Sequence, residues 1–135
     1  MERLLVGASS KTPLIHLDAG KGLIELKGRS TPEDIDKVYL PVLAWIDNYL
    51  NNPHHITTVN FHFEYFNSST TKVLMKLINK LVLSHKQGIT SLIVNWLYFD
   101  EDMLEYGEDF QDLSGIEFNL IESDYSNIDF EIANY

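Results

Sequence analysis

The sequence contains no cysteine among its 135 residues. This absence excludes a disulfide-stapled scaffold, a thiol nucleophile and any metal site built on thiolates. Basic side chains are also scarce, since ten Lys and Arg stand against twenty Asp and Glu and leave a net charge of −10. Such a surface repels nucleic-acid backbones and anionic lipid. We therefore expect no nucleic-acid partner and no membrane partner.

Long apolar runs are missing as well. No stretch approaches the roughly 20 continuous apolar residues that span a bilayer, and residues 1–7 are too short for the apolar core of a secretory signal. These absences predict a cytoplasmic protein. The composition, with 44% hydrophobic and 22% charged residues, is typical of a globular domain. The length and the lack of an internal repeat predict one domain.

The first part of the chain predicts a hairpin and a helix. Residues 14–17 and 23–27 are apolar-rich runs joined by a glycine-rich turn, which is typical of two antiparallel strands. The following Ser30-Thr31-Pro32-Glu33 combines a cap residue, a proline and an acid, and predicts a helix start. Apolar residues then keep helical spacing to Leu50. Pro41 lies inside this run and predicts a kink or an unpaired carbonyl.

The rest of the chain alternates strands with helices. Residues 56–66 have a period of two, which predicts a strand with one buried face formed by Val59, Phe61, Phe63 and Tyr65. Helical periods and end signals predict helices over 69–87 and 100–112. Two further apolar runs predict strands over 92–98 and 116–121, the first of them covered on both faces.

The predicted order of elements is β-β-α-β-α-β-α-β. Alternation of this kind is typical of an α/β domain with a mainly parallel central sheet, to which the N-terminal β-hairpin adds an antiparallel edge. We assign residues 1–122 to this domain. Residues 123–135 have no clear period and are interpreted as an acidic C-terminal tail.

Enzymatic chemistry finds little support in the pattern of residues. His62 and Glu64 share a strand face and could act as the acid/base pair of a hydrolase, but no nucleophile elbow accompanies them. His54-His55 has no third ligand at a metal-binding spacing. We therefore predict no catalytic residue, no metal and no cofactor. A small-molecule-binding domain is an alternative, and it would require a pocket with converging polar groups.

Two surfaces allow more than one interpretation. The acids concentrated in residues 100–112 and 122–131 form either solvated faces or a docking surface for a basic partner. Trp45 lies off the main apolar stripe of its helix and is either a core residue or an exposed partner anchor. Trp96, inside an apolar strand, is predicted to be core.

The junction Asn67-Ser68-Ser69-Thr70-Thr71 separates a predicted strand from a predicted helix. Asn, Ser and Thr are the ordinary helix N-cap residues and need no further role. The same position also suits a phosphate, because the free N–H groups and the dipole of a helix N-terminus favour negative charge. The residues alone leave both interpretations open.

Five blocks of residues occur in an order and at spacings that are specific when taken together. They are Ser30-Thr31-Pro32-Glu33, Trp45-Ile46-Asp47-Asn48-Tyr49, Tyr65-Phe66-Asn67-Ser68-Ser69, Trp96-Leu97-Tyr98 and the acidic run Asp100-Glu101-Asp102-Met103-Leu104-Glu105-Tyr106-Gly107-Glu108-Asp109-Phe110. In these blocks the chain resembles the SiaC family of bacterial regulatory phosphoproteins. The resemblance implies a STAS-like fold, the architecture of bacterial anti-sigma-factor antagonists.

The resemblance also implies a phosphorylation site. In this family the regulated hydroxyl directly follows the Asn of a Tyr-Leu-Asn-Thr-Ser-Ser motif, and this chain has Tyr65-Phe66-Asn67-Ser68-Ser69-Thr70 there. The implied acceptor is Ser68, with Ser69 as the alternative, and Asn67, Ser69, Thr70 and Thr71 form the implied switch loop. Serine in place of threonine keeps the hydroxyl and loses a methyl, which bears on kinase preference.

The implied activity is partner switching without catalysis. A Ser/Thr protein kinase modifies the protein, a PP2C-type phosphatase restores it, and the unmodified form activates a diguanylate cyclase and so raises cyclic-di-GMP. We expect Glu101, Asp102 and Glu105 to bind the partner, because connections that follow parallel strands gather at one sheet edge. An anti-sigma-antagonist-type α/β domain with a different partner is the alternative.

Overall fold

The computed structural model describes residues 1–124, which form six strands and three helices. In chain order the elements are β1 Leu4–Val6, β2 Leu14–Asp18, β3 Leu23–Ser30, α1 Ile35–Tyr49, β4 Ile56–Phe66, α2 Ser68–Lys86, β5 Ser91–Tyr98, α3 Glu101–Ser114 and β6 Asn119–Glu122. The predicted alternation lacked only β1, because three residues are too few to show a period. Most of the predicted acidic tail, residues 125–135, lies outside the described residues.

All six strands form one sheet in the order β1-β2-β3-β4-β5-β6. The first three strands pair antiparallel, and β3 to β6 pair parallel. The predicted hairpin and the mainly parallel sheet are confirmed. Within residues 1–124, no helix combines the length and the apolar character needed to traverse a lipid bilayer.

This strand order places the helices on one face of the sheet. Each parallel connection moves one strand further in the same direction, so right-handed crossovers all pass over the same side. The buried core joins the helices to the strand residues of that side. We call the opposite side the open face, and Ile93 of β5 is 40% exposed there. The prediction that β5 is covered on both faces is wrong, because an apolar run does not reveal where helices cross.

Aromatic rings form the centre of the core. The buried ring of Trp96 lies 5.3 Å from Phe61 and 5.4 Å from Phe110, measured between centroids. Its indole N–H donates to the carbonyl oxygen of Met103 at 2.8 Å, so the buried donor is satisfied. The prediction that Trp96 is a core residue is confirmed.

Helix α1 begins later than predicted. Ser30 is the last residue of β3, and the N-cap is Asp34, whose carboxylate accepts from the Lys37 N–H at 3.3 Å. The predicted start was wrong because a Ser-Thr-Pro sequence also suits a strand end followed by a turn. Pro41 does lie inside α1, as predicted.

Of the two interpretations left open for Trp45, the structure supports the core residue, because its side chain is only 9% exposed. Its ring stacks on Tyr49 with 5.1 Å between centroids, and its N–H donates to the carbonyl oxygen of Glu2. The indole is therefore held inside the structure by the N-terminal segment. An exposed anchor at this position is ruled out by that contact.

A β-bulge interrupts β4 near its end. Gly28 pairs with Phe63 but Arg29 pairs with Tyr65, so Glu64 is an extra residue without a position in the register. The alternation reverses beyond this point: Tyr65 is 51% exposed and Phe66 is 2% exposed. The prediction that Tyr65 shares the buried face was wrong because a bulge shifts the side-chain period by one residue.

Polar side chains cross the open face as a ladder over five strands. His16 of β2 and Glu25 of β3 lie 3.0 Å apart, and Asn60 of β4 donates to Glu25 at 3.1 Å. Asn95 of β5 then donates to Asn60 at 2.8 Å, and Asn119 of β6 donates to Asn95 at 2.9 Å. These residues are direct cross-strand neighbours. The ladder satisfies polar groups whose burial would otherwise be costly.

Two titratable side chains at this ladder, Glu25 and His62, have shifted pKa values. Burial alone would raise the pKa of Glu25, but hydrogen bonds from His16 and Asn60 and the nearby Lys27 outweigh it and lower that pKa. Burial and the charge of Lys27 lower the pKa of His62 to about 4. The His62 ring is therefore neutral at physiological pH.

We predict that Gly107→Ala destabilises the protein. Gly107 is buried inside α3 against the indole of Trp96, and an added Cβ would lie 2.7 Å from Nε1 and 2.9 Å from Cγ of that ring. Alanine normally stabilises a helix interior by about 0.5–1 kcal/mol relative to glycine. Here overpacking should reverse the sign and cost about 1–3 kcal/mol. Urea unfolding measures the difference.

Gly20→Ala serves as the control, because its Cβ would meet only Asp18 Oδ1 at an ordinary 3.5 Å. That variant should unfold within about 0.5 kcal/mol of wild type. Equal or greater stability of Gly107→Ala would contradict close packing of α3 on Trp96.

Candidate functional site

The predicted switch loop forms the start of α2. Strand β4 ends at Phe66, Asn67 is the N-cap in extended backbone, and α2 begins at Ser68. The Asn67 side-chain oxygen accepts from the Thr70 N–H at 3.1 Å and from the Ser69 hydroxyl at 3.0 Å. The capping interpretation of the junction is therefore confirmed for Asn67. The serines and threonines that follow it are not the N-cap residue.

The four hydroxyl residues differ in accessibility. Ser68 is exposed, Ser69 is half-buried and donates to Asn67, and Thr70 is fully buried. Thr71 is half-buried and donates to the carbonyl oxygen of Asn67 at 3.2 Å. Ser68 is thus the one exposed residue among 68–71. The sequence does not reveal this difference between two neighbouring serines.

Thr70 anchors the first turn of α2 from beneath. Its hydroxyl donates to the carbonyl oxygen of Ser30 at 2.9 Å and lies 2.9 Å from the Ser30 hydroxyl. The Ser30 hydroxyl in turn lies 2.7 Å from that of Tyr39 in α1. Burial raises the pKa of the Tyr39 phenol, which stays protonated. This network was not predicted from the sequence, because Ser30 was assigned to a helix start.

The N-terminus of α2 favours negative charge. Its first turn carries no acidic side chain, whereas α3 carries Glu101 and Asp102 in its first turn. The exposed Lys72 follows Ser68 by four residues and so lies on the same side of α2. An anion on Ser68 would meet the positive end of the helix dipole and a lysine ammonium.

An acidic cleft of about 440 Å³ lies between the start of α3 and the end of β4. It is lined by Glu64, Tyr65, Asp100, Asp102, Met103, Glu105, Tyr106 and Asp109. Two of the three predicted partner-binding residues, Asp102 and Glu105, line this cleft. Glu101 is exposed on the same turn but does not line it. Asp100 caps α3, because its carboxylate accepts from the Met103 N–H at 2.9 Å.

The cleft adjoins the switch loop through aromatic contacts. The ring of Phe66, directly before Asn67, lies 4.7 Å from the ring of Tyr106. Tyr106 is 39% exposed and lines the cleft. The predicted juxtaposition of α3 and the switch loop at one sheet edge is therefore observed in the structure.

Sequence reasoning missed the β4 side of the cleft. The guanidinium of Arg29 lies 5.6 Å from the Tyr65 ring centroid and pairs with Glu64 at 3.2 Å. The bulge turns Tyr65 out of the core, whereas Glu64 was already predicted on the face opposite the core. A signal was present in the sequence, since Tyr65 and Phe66 are adjacent large apolar residues and only one of them can face the core of a strand.

The described residues do not form the hydrolase site or a metal site. Glu64 is held by Arg29, and His62 is 5% exposed with a pKa far below its usual range. This arrangement does not present the accessible acid/base pair of the hydrolase alternative. Across residues 1–124, no three His, Asp or Glu side chains are grouped in a way that would hold a metal ion.

A second groove, of about 480 Å³, runs between β1 and α1. It is largely apolar, with Leu4, Val6, Ile15 and Val42 along its floor, and none of residues 67–71 lines it. Charged side chains also line this groove, namely Lys11, Glu33, Asp34 and Lys37. Lys11 and Glu33 pair with each other and Asp34 caps α1, so these groups already have partners within the protein.

Comparison with known proteins identifies relatives over most of the chain. A protein 25% identical over 114 residues, which span 83% of this chain and 90% of the relative, is an uncharacterized protein of Pseudomonas aeruginosa strain UCBPP-PA14. The crystal structure of apo-SiaC from Pseudomonas aeruginosa has a TM-score of 0.83 at 23% identity, covering 90% of this chain and 99% of that one.

A second similar structure is that of the diguanylate cyclase SiaD in complex with its activator SiaC from Pseudomonas aeruginosa. The SiaC-like match in that complex has a TM-score of 0.83 at 23% identity, and the alignment covers 89% of this chain and 99% of the matched chain. These likenesses establish a shared fold. The model of the SiaC family of regulatory phosphoproteins matches residues 6–123, which is nearly the whole described chain. The protein therefore belongs to the SiaC family of regulatory phosphoproteins.

Proposed function

We propose that this protein is a non-enzymatic activator of a bacterial diguanylate cyclase and that phosphorylation of Ser68 switches it off. The observation that carries the proposal is the exposed Ser68 hydroxyl at the N-terminus of α2, next to the acidic cleft. Similarity to SiaC, which is the activator of SiaD in Pseudomonas aeruginosa, supports the choice of partner. The protein would act in the cytoplasm and alter cyclic-di-GMP levels without catalysing a reaction.

The proposed cycle needs two enzymes that act on Ser68. A Ser/Thr protein kinase adds the phosphate, and a PP2C-type phosphatase removes it. Ser69 is the weaker candidate, because its hydroxyl is half-buried and already bonded to Asn67. We also propose that the fold is a STAS-like variant, since a mainly parallel sheet follows the N-terminal antiparallel strands.

The direction of the switch follows from the charge around Ser68. The start of α2 is positive, because it combines a helix N-terminus without acids and the exposed Lys72. A partner that docks there presents acidic or apolar groups. Phosphate adds about −1.5 to −2 charge, which is more than the single charge of Lys72 can neutralise, so it reverses the sign of this surface. Burying it against such a partner would cost several kcal/mol, roughly the cost of an uncompensated buried charge.

The acidic cleft forms the negatively charged part of the proposed docking surface. Glu105 and Asp109 are exposed along one side of α3, and Tyr65 and Tyr106 add aromatic faces. A lysine or arginine side chain of the cyclase can meet both carboxylates and ring faces there. The contact between Phe66 and Tyr106 places the positive start of α2 next to the acidic cleft, so one partner can contact both surfaces.

We predict that Ser68→Asp weakens binding to the cognate cyclase by at least about tenfold, because a fixed negative charge disfavours docking. Ser68→Ala should bind within about twofold of wild type, since removal of an exposed hydroxyl leaves no buried group unpaired. Ser69→Ala is the control for loss of a serine in the same turn. Calorimetric titration of the purified cyclase measures each affinity, and equal affinities for the alanine and aspartate variants would refute the switch.

The acidic cleft leads to a separate prediction. Glu105→Lys and Asp102→Lys should each weaken cyclase binding about fivefold at low salt, because an exposed charge pair contributes up to about 1 kcal/mol. Glu101→Lys should have a smaller effect, since Glu101 does not line the cleft. The loss should shrink as salt rises.

Asp112→Lys on the same helix is the matched control, because it changes the net charge equally at an exposed position outside the cleft. Surface plasmon resonance at two salt concentrations measures the rates. If Asp112→Lys and Glu105→Lys weaken binding equally, overall charge rather than the cleft attracts the partner.

A further inference from the structure

Helix α2 has a charge opposite to that of the whole molecule. It contains four of the ten Lys and Arg residues of the chain and no Asp or Glu, although the net charge of the protein is −10. Ser68, Lys72, Lys76 and Leu83 are exposed, and their spacings of four and seven residues place them along one outward side of the helix. We call these four residues the α2 stripe.

Helix α3, which packs beside α2, presents the opposite charge. It contains six Asp and Glu residues and no Lys, Arg or His. Glu101, Glu105, Asp109 and Leu113 are all exposed and recur at every fourth position, so they also form one stripe, the α3 stripe. None of the ion pairs within residues 1–124 involves either stripe. The outer face of the helix layer therefore carries a basic and an acidic row side by side.

The charges of the two rows lie at matching heights. Both helices begin at the same edge of the sheet, after the parallel strands β4 and β5. Lys72 and Lys76 follow the first residue of α2 by four and eight positions, and Glu105 and Asp109 follow the first residue of α3 by the same numbers. At a rise of 1.5 Å per residue, these positions lie about 6 and 12 Å from each helix start.

The last turns of the two helices add apolar surface. Leu83 of α2 is 57% exposed and Leu113 of α3 is 74% exposed. These turns are close to each other, since a Cβ built on Gly115 would lie 3.5 Å from Lys86 Nζ. Each stripe thus ends in an exposed leucine, whose burial would favour association.

We propose that the outer faces of α2 and α3 form a homodimer interface, in which the α2 stripe of each molecule lies on the α3 stripe of the other. A two-fold axis parallel to the helices produces this contact and leaves heights along the axis unchanged. Lys72 then meets Glu105 of the second molecule, and Lys76 meets Asp109. Symmetry makes each pair occur twice. The dimer is weak, because two helices from each molecule bury a small area.

The proposed interface includes the start of α2. Ser68 lies level with Glu101 of the second molecule, so a negative charge added at Ser68 weakens the dimer. The dimer rests on the charges of α2 and α3 and does not depend on the proposed function. It uses the same surface as the proposed cyclase complex, so the two assemblies exclude each other.

Sedimentation velocity of the full-length chain tests the dimer. Wild type should show a reversible monomer–dimer equilibrium at low salt, and the dimer fraction should fall as salt rises. Changing both Lys72→Glu and Lys76→Glu should weaken association at least about tenfold, because four attractive contacts become repulsive. The matched control is Lys21→Glu with Lys37→Glu, which makes the same change of charge at exposed positions outside α2 and α3. It should associate within about twofold of wild type.

A wild type that stays monomeric at every concentration would overturn the proposal. Equal weakening by the control would also overturn it, because overall charge would then govern association. Growth of mass beyond a dimer would show a head-to-tail contact instead of the symmetric one.

A mixing experiment tests the pairing of α2 with α3. Glu105→Lys with Asp109→Lys should also lose self-association, because both stripes are then basic. An equimolar mixture of this variant with the variant whose α2 lysines are reversed should recover at least half of the wild-type dimer fraction, since every reversed lysine then faces a reversed acid. Both variants keep a net negative charge, so overall charge cannot cause the recovery. Circular dichroism checks that each variant is folded, and a mixture of folded variants that stays monomeric would contradict the pairing.

Discussion

The buried hydroxyl of Thr70 is the constraint on which the switch region depends. It ties the first turn of α2 to Ser30 at the end of β3, and through Ser30 to Tyr39 of α1. Residues two apart on a helix lie about 200° around the axis from each other. A buried Thr70 therefore places Ser68 on the solvent side. The accessibility of one serine follows from the anchoring of a threonine two residues later.

The same anchoring brings two oppositely charged surfaces together. Asn67 links the start of α2 to the end of β4, where Phe66 packs on Tyr106 of α3. A positive helix end and an acidic cleft thus share one edge of the sheet, so a negative charge added at Ser68 would change the charge pattern of this edge.

The sequential strand order has a different consequence. Because all crossovers pass on one side, no helix of residues 1–124 packs on the open face, where polar side chains pair with one another. The ladder from His16 to Asn119 provides the pairing across five strands. The sheet thus has one face that carries the core and another that is crossed by a row of polar pairs.

Local patterns identified much of the architecture. The hairpin, the strand before Asn67, the long α2 and the acidic α3 all have periods or end signals that are encoded in short stretches of sequence. The predicted position of Asp102 and Glu105 near the switch loop also followed from topology alone. Features that depend on single irregularities escaped prediction. Strand β1 was too short to show a period, and the bulge at Glu64 reversed the alternation that placed Tyr65 in the core.

The sequence by itself determined the acidic, cysteine-free composition, the α/β alternation, the cap at Asn67 and the membership of a regulatory family. Only the tertiary structure decided which hydroxyl is accessible, which side of the sheet the helices cover and which acids line a common cleft. The physical reason is that spacing along the chain sets local conformation. Exposure, in contrast, is set by groups distant in sequence, as Ser30 sets it for Thr70 and thereby for Ser68.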